Sequence, residues 1–266
     1  MTRWHGARLD GTGQQSGMPH AVAIIPARLG STRFPEKVLA SATGRTLIQH
    51  VYERARLAAC VQRVVVAADD PRIARAVEGF GGECVMTSAR HPNGTSRLAE
   101  AAGLLGLAED VIVVNVQGDE PELDPALIDA GVGALVETGA EAATVASPFA
   151  AHEDPENPNI VKAVVDARGL AMYFSRACIP YPGRAEADAA ARPLKHVGLY
   201  VYRVGFLRRY VALAPTPLEQ TEKLEQLRVL EHGYRMAVAI MESHHHGIDT
   251  PEQYAGFVER WKSTPH

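Results

Sequence analysis

The sequence predicts an α/β protein: a parallel sheet with helices on both faces. Short apolar runs without polar alternation, AVAII (21–25), RVVVAA (63–68), VIVVNV (111–116) and AATVA (142–146), mark strands buried on both faces. Helical patterns separate these runs, so strand and helix alternate across 21–148. The chain has 266 residues, 46% of them apolar and 22% charged, which is enough to bury a full core without disulfides or a structural metal.

Each element has its own signal. After the first strand, Leu47, Ile48, Val51, Ala55 and Ala58 recur at spacings of three and four and predict a helix over 46–59. Asp70-Pro71 and Asp124-Pro125 each place a capping carboxylate before a proline, so helices start at 71 and 125, the second running to 138. A strand at 83–87 and a helix at 95–106 lie between them, with Thr95 a plausible cap. The stretch 160–177 reads as two strands joined at Asp166-Ala167-Arg168-Gly169, a hairpin. Residues 183–193 read as a surface loop, HVGLYVYR (196–203) as a strand, 204–213 and 218–232 as helices. MAVAIM (236–241) is a late strand and 251–262 a closing helix. There is no internal repeat and no linker. One domain over 21–266 is expected, with an inserted β-hairpin layer around 157–203.

Composition excludes several classes. Lys and Arg number 27 against 31 Asp and Glu, a net charge of −4, which argues against a dedicated nucleic-acid binder. No apolar run approaches the length of a membrane span. Cys60, Cys84 and Cys178 are odd in number, far apart and outside any CxxC, so free thiols in the cytosol are expected. Residues 1–20 are polar and Gly-rich, lack the apolar core of an export signal, and read as a mobile extension. Their G-x-G-x-x-x-G spacing precedes the first strand instead of following it, so it is not a dinucleotide fingerprint.

In open parallel sheets, ligands sit beyond the carboxyl ends of the strands. The segment after the first strand, IIPARLGSTRFPEKVL (24–39), carries Arg28, Arg33 and Lys37 with Gly30, Ser31 and Thr32. Backbone N–H groups of such a loop can face phosphate oxygens while the cations neutralise them; the bland reading is a solvated basic loop. The segment VNVQGDEPELDP (114–125) puts carboxylates at the same edge. Asp119 suits Mg²⁺ that bridges substrate phosphates, and Asp124 suits the helix cap. RHPNGTSR (90–97) is a loop that reads a base edge, or a plain turn into a helix. His244-His245-His246 could bind a transition metal, but consecutive side chains point different ways. Asp249 either caps the helix opened by Thr250-Pro251 or supplies a second Mg²⁺ ligand. Glu222, Glu225 and Gln226 fall on one face of the predicted helix 218–232, with Leu224 and Leu227 broadly opposite; that face is solvated, or it lines a pocket.

Eight stretches, in order, resemble one family: IIPARLGSTRFPEKVL (24–39), HPNGTSRLAE (91–100), VNVQGDEP (114–121), NPNIVKAV (157–164), YFSRACIPY (173–181), KHVGLYVYR (195–203), LEQTEKLEQLRVL (218–230) and GIDTPEQY (247–254). The chain is similar over about 20–262 to bacterial 3-deoxy-D-manno-octulosonate (Kdo) cytidylyltransferases. The resemblance implies a GT-A-like nucleotide-binding sheet, the reaction of CTP with Kdo to give CMP-Kdo and pyrophosphate, a need for Mg²⁺, and a homodimer built through the inserted β layer. It also implies a cytoplasmic step that activates Kdo for lipopolysaccharide. Carried onto this sequence, it places Arg28 and Lys37 on the triphosphate, the backbone of Pro26, Ala27 and Ser31 around the nucleotide, and His91, Asn93, Gly94 and Thr95 near cytosine. Gln117 falls between nucleotide and sugar, Asp119 and Asp249 on Mg²⁺, and Arg176, His196, Tyr200, Glu225 and Gln226 in the sugar pocket. The family loop H-x-S-G-T-D-R differs here at Asn93 and Ser96. Rival readings are transfer to another acid sugar, an 8-amino-Kdo or a nonulosonate, and a non-catalytic nucleotide-binding module.

Overall fold

The computed structural model describes residues 19–31, 33–181, 191–244 and 247–263. The predicted N-terminal extension, most of the loop 183–193, and His245 and His246 lie outside them. The strands are β1 (Ala21–Ala27), β2 (Val61–Ala68), β3 (Glu83–Met86), β4 (Ile112–Asn115), β5 (Ala142–Pro148), β6 (Lys162–Val165), β7 (Ala171–Ser175), β8 (Leu194–Arg203) and β9 (Met236–Ile240). The helices are α1 (Leu47–Arg56), α2 (Pro71–Gly79), α3 (Gly94–Leu104), α4 (Pro125–Thr138), α5 (Val204–Ala212), α6 (Pro217–Glu222), α7 (Leu227–Glu231) and α8 (Pro251–Ser263), with a short 3-10 turn at Lys37–Leu39.

One sheet runs β3-β2-β1-β4-β8-β5-β9, and β6 pairs with the start of β8 and with β7. The expected parallel sheet is therefore mixed. β8 runs antiparallel to both neighbours and sits between β4 and β5, while β1 with β2, β1 with β4, β2 with β3 and β5 with β9 are parallel. An antiparallel strand needs no crossover helix, so β8 can fill the gap between β4 and β5 without one. Period-two alternation splits the core into two layers. Ile25, Val66, Val114 and Val145 face α1, α2 and α4. Ile24, Val113, Ala146 and Tyr202 face α3, α5 and α7.

The Asx-Pro starts hold. Asp70 accepts from Arg72 N and Asp124 from Ala126 N, each before a proline in the first turn. At α3 the cap is Asn93, whose side chain accepts from Ser96 N at 2.9 Å, and not the expected Thr95. The hairpin turn at 166–169 forms as expected: Gly169 has φ +80°, and Asp166 Oδ1 accepts from Arg168 N and Leu170 N.

The helix expected over 218–232 is broken. Lys223 takes left-handed backbone angles (φ 56°, ψ 46°), which ends α6, and α7 begins at Leu227. Arg176 Nε donates to the Glu222 carbonyl at 2.8 Å, satisfying a helix-end acceptor. Glu225 and Gln226 thus lie on a turn and not on a helical face, and Leu224 is buried beneath them. All three cysteines are free. No helix among the described residues is long and apolar enough to cross a membrane.

Candidate active site

Two cavities adjoin at the carboxyl edge of β1 and β4. The first, about 370 Å³, is lined by the loop after β1, the loop before α3, the loop after β4, and Asp249. The second, about 290 Å³, lies between the start of α3, strands β4 and β8, and the α6–α7 turn. Gly94, Gln117 and Glu225 line both.

Chain reversals bring distant residues together here. Gly118 follows β4 so tightly under the first loop that a Cβ would stand 3.1 Å from the Pro26 carbonyl oxygen, so any larger residue would have to push that carbonyl aside. Lys37, in the 3-10 turn, sends its ammonium to three acceptors: Asp119 Oδ2 at 2.6 Å, the Ile248 carbonyl at 2.9 Å and Asp249 Oδ1 at 3.1 Å. Arg33 pairs with the second oxygen of Asp249 at 2.8 Å. Asp249 does not cap α8. The Gln253 backbone N–H donates to Thr250 Oγ1, and the Gln253 side-chain oxygen accepts from the N–H groups of Asp249 and Thr250. The Asp249 carboxylate is left to face the cavity.

Aromatic packing supports this edge from below. Phe257 and Val258 of α8 are buried with Leu47 and Ile248, and Phe34 and Tyr254 pack against them. The Tyr254 hydroxyl accepts from Ala42 N at 2.7 Å. On the opposite wall, Asp69 at the end of β2 accepts from Leu29 N at 3.0 Å and from Arg97 Nη2 at 3.1 Å, while Arg97 Nη1 reaches Thr87 Oγ1. Arg97 is buried, so the chain has taken an ion pair out of water to tie the loop after β1 to α3. His91 is held by Glu100 through Nε2 and by Ser96 Oγ through Nδ1; the His91 contact keeps the Glu100 carboxyl below its usual range. Ser96 thus uses its hydroxyl to orient a cavity-lining ring.

In the second cavity, the Tyr200 hydroxyl donates to Gln226 Oε1 at 3.1 Å, and Thr95 Oγ1 donates to Glu225 Oε2 at 3.3 Å. Burial raises the Glu225 pKa. A bulge in β8, where Thr144 pairs with Tyr200 but Val145 with Val197, aims the Gly198 carbonyl at Gln117 Nε2, 3.2 Å away.

Ten of the residues assigned to nucleotide or metal line the first cavity: Pro26, Arg28, Ser31, Lys37, His91, Asn93, Gly94, Gln117, Asp119 and Asp249. Ala27 is buried in β1, and Thr95 faces the second cavity. Gln117, Tyr200, Glu225 and Gln226 line that second cavity. Arg176 and His196 line neither cavity. Arg176 is tied to the Glu222 and Pro158 carbonyls, and His196 Nε2 bonds Thr144 Oγ1 at 2.8 Å. The sequence reading did not single out Arg97, Gly118, Asn115, Tyr202 or Tyr210 as wall residues. Arg97 could have been found as the lone cation inside an otherwise apolar helical stripe.

Hard oxygen donors from two chain segments converge on one point, the Lys37 ammonium. Such donors fit a small divalent cation that completes its shell with substrate phosphates. Among the described residues there is no group of three or more His, Cys, Asp or Glu side chains placed to hold a metal.

The family model described as Cytidylyltransferase matches residues 22–240. A 3-deoxy-manno-octulosonate cytidylyltransferase of Syntrophobacter fumaroxidans is 52% identical over 239 residues, 89% of this chain and 95% of its own. One of Syntrophotalea carbinolica is 50% identical over 237 residues, covering 86% and 94%. A solved CMP:2-keto-3-deoxy-manno-octonic acid synthetase complexed with CTP superposes with a TM-score of 0.85 at 40% identity, covering 91% of this chain and 98% of that one. A cytidylyltransferase from Leptospira borgpetersenii shares the fold, with a TM-score of 0.59 at 16% identity, covering 94% and 89%.

Proposed function

The chain belongs to the cytidylyltransferase family, with the 3-deoxy-manno-octulosonate cytidylyltransferases, and on that premise we propose that it transfers the cytidylyl group of CTP to the anomeric hydroxyl of Kdo, releasing pyrophosphate. The observation that carries this reading is the pair of cavities with a common wall: the first is rich in cations and carboxylates, and the second is lined by hydroxyl, amide and carboxyl groups. Two substrates held across Gly94, Gln117 and Glu225 would meet at that wall, and holding them in line is worth a large part of the barrier.

Arg28, Arg33 and Lys37 neutralise the triphosphate and hold its leaving half, while the N–H groups of the loop after β1 approach its oxygens. The loop 91–95, its His91 fixed by Glu100 and Ser96, faces the base. Asp119 and Asp249 would hold Mg²⁺, which when bound supplies positive charge at the reacting phosphates. Lys37 stands between those carboxylates and so couples their placement to the phosphates. Gln117, Tyr200, Glu225 and Gln226 orient the sugar so that its anomeric oxygen points through the common wall at the α-phosphorus. A cytoplasmic step supplying activated Kdo for lipopolysaccharide fits this activity. A homodimer through the β6–β7 hairpin is supported by the exposed Met172 on β7 and Tyr181 beyond it.

Pyrophosphate release, measured with CTP and Kdo together and with each omitted, tests the reading. Release must require both substrates. Release with CTP alone at the same rate, or none with the pair, rejects it.

A further inference from the structure

Two side-chain amides at the second cavity each carry one buried atom without a hydrogen-bond partner among the described residues. Asn115, the last residue of β4, is 1% exposed, and its Oδ1 is buried without a hydrogen bond. Gln226, 3% exposed, has a buried Nε2 in the same state. Both residues line the cavity. Because Gln226 Oε1 accepts from the Tyr200 hydroxyl, the spare end of that amide is its donor. The sheet sets the place of Asn115. Its backbone is fixed beside Ile24 of β1 and opposite Tyr200 of β8, and the strand alternation puts its side chain on the Tyr202 side of the sheet.

A buried amide without a partner costs folding stability, and native proteins keep few of them. Two in one cavity call for a ligand that supplies what the fold does not. One spare acceptor and one spare donor, neither charged, are the complement of a hydroxyl group, which donates one proton and accepts on its lone pairs. Either orientation of the Asn115 amide offers a group that a hydroxyl satisfies. We propose that Asn115 is a specificity-determining residue that, together with Gln226, receives a neutral hydroxyl of the sugar in the second cavity. This rests on the reading of that cavity as the sugar-acceptor site. A ligand with C–H in place of that hydroxyl leaves Asn115 Oδ1 and Gln226 Nε2 unpaired and is discriminated against.

The test uses Asn115→Leu, nearly isosteric, with Asn115→Ala as a second variant that adds no bulk. Pyrophosphate release is followed at saturating CTP with Kdo varied, and then the reverse. In both variants the KM for the sugar should rise at least tenfold while the KM for CTP stays within twofold. Tm of Asn115→Leu should equal or exceed that of the wild-type protein, because the unpaired buried oxygen is gone. A lower Tm with the two KM values unchanged or raised in parallel means that Asn115 only supports the strand, and overturns the proposal. Monodeoxy analogues of the sugar locate the hydroxyl: one should lose at least tenfold in kcat/KM with the wild-type protein but lose nothing further in Asn115→Leu. Full additivity for every analogue overturns the proposal too. If the wild-type protein turns over no Kdo at all, the acceptor reading fails separately. The thermal shift with the sugar alone then decides on Asn115: a shift in the wild type that is absent from Asn115→Leu supports the role, and equal shifts refute it.

Discussion

Acid should destabilise this protein partly through one histidine. His196 sits in β8 with its ring against Phe174 and Tyr200, at centroid distances of 5.1 and 5.4 Å. Burial pushes its pKa down from 6.5 to about 4. The hydrogen bonds agree with a neutral ring: the single proton of the Thr144 hydroxyl goes to the Leu199 carbonyl at 2.7 Å, so His196 Nε2 donates to Thr144 Oγ1. The unfolded chain binds the proton near pH 6.5 and the folded chain only near 4, so stability falls as pH drops through that window. A gap of roughly 2.5 units corresponds to a ceiling of about 3 kcal/mol, of which about 2 kcal/mol is lost by pH 5. His196→Gln keeps a donor near Thr144 and removes the titration. Urea unfolding of both proteins at pH 7.5 and pH 5 isolates the histidine, because the other carboxylates cancel in the difference. The wild-type protein should lose about 2 kcal/mol more than the variant on going to pH 5. A difference that is the same at both pH values would show that His196 protonates as freely folded as unfolded.

Three further outcomes are expected. Asp119→Asn and Asp249→Asn should each fold normally and lose on the order of a thousandfold in turnover at saturating Mg²⁺; a variant that retains more than about a tenth of the rate does not hold the metal. CTP should be preferred strongly over ATP, since on the proposed function the loop 91–95 faces a pyrimidine and a purine would not match its shape and hydrogen-bond pattern; equal kcat/KM for the two nucleotides would contradict this. Asp69→Ala strands the buried Arg97 charge and frees Leu29 N, so urea unfolding should show a loss of about 3–5 kcal/mol; a change below about 1 kcal/mol would mean that water already shields the pair.

The legible parts of the fold were those written in local pattern. The Asp-Pro pairs at 70–71 and 124–125 and the Asp166–Gly169 turn carry their capping chemistry in adjacent residues, and each forms where the sequence places it. β8 was recognisable as a strand, but nothing within 196–203 states that it enters the sheet antiparallel between β4 and β5; that depends on partners fifty or more residues away. The break at Lys223 was hidden for a related reason. Residues 218–232 keep helical spacing, and the interruption is set by Arg176 from another segment, which takes the Glu222 carbonyl. Among the residues that line the first cavity, Lys37, Asp119 and Asp249 were readable as edge residues because each follows a strand or opens a turn at the sheet edge. Asn115 was not, since an amide within an apolar strand reads as an exception until the cavity beside it is seen.

The position of β8 also orders events during synthesis. Within the sheet, β3-β2-β1-β4 and β5-β9 are joined by this strand, which lies some eighty residues after β4. A nascent chain can therefore pair β1 to β4 and shape the loops of the first cavity while the neighbouring edge of β4 stays open. Gly198 and Tyr200 arrive with the strand that closes this seam, so the second cavity gains its floor in the same step that makes the sheet continuous. Until then β4 presents an apolar edge able to recruit foreign strands, a hazard that grows with any delay in translation between residues 115 and 203.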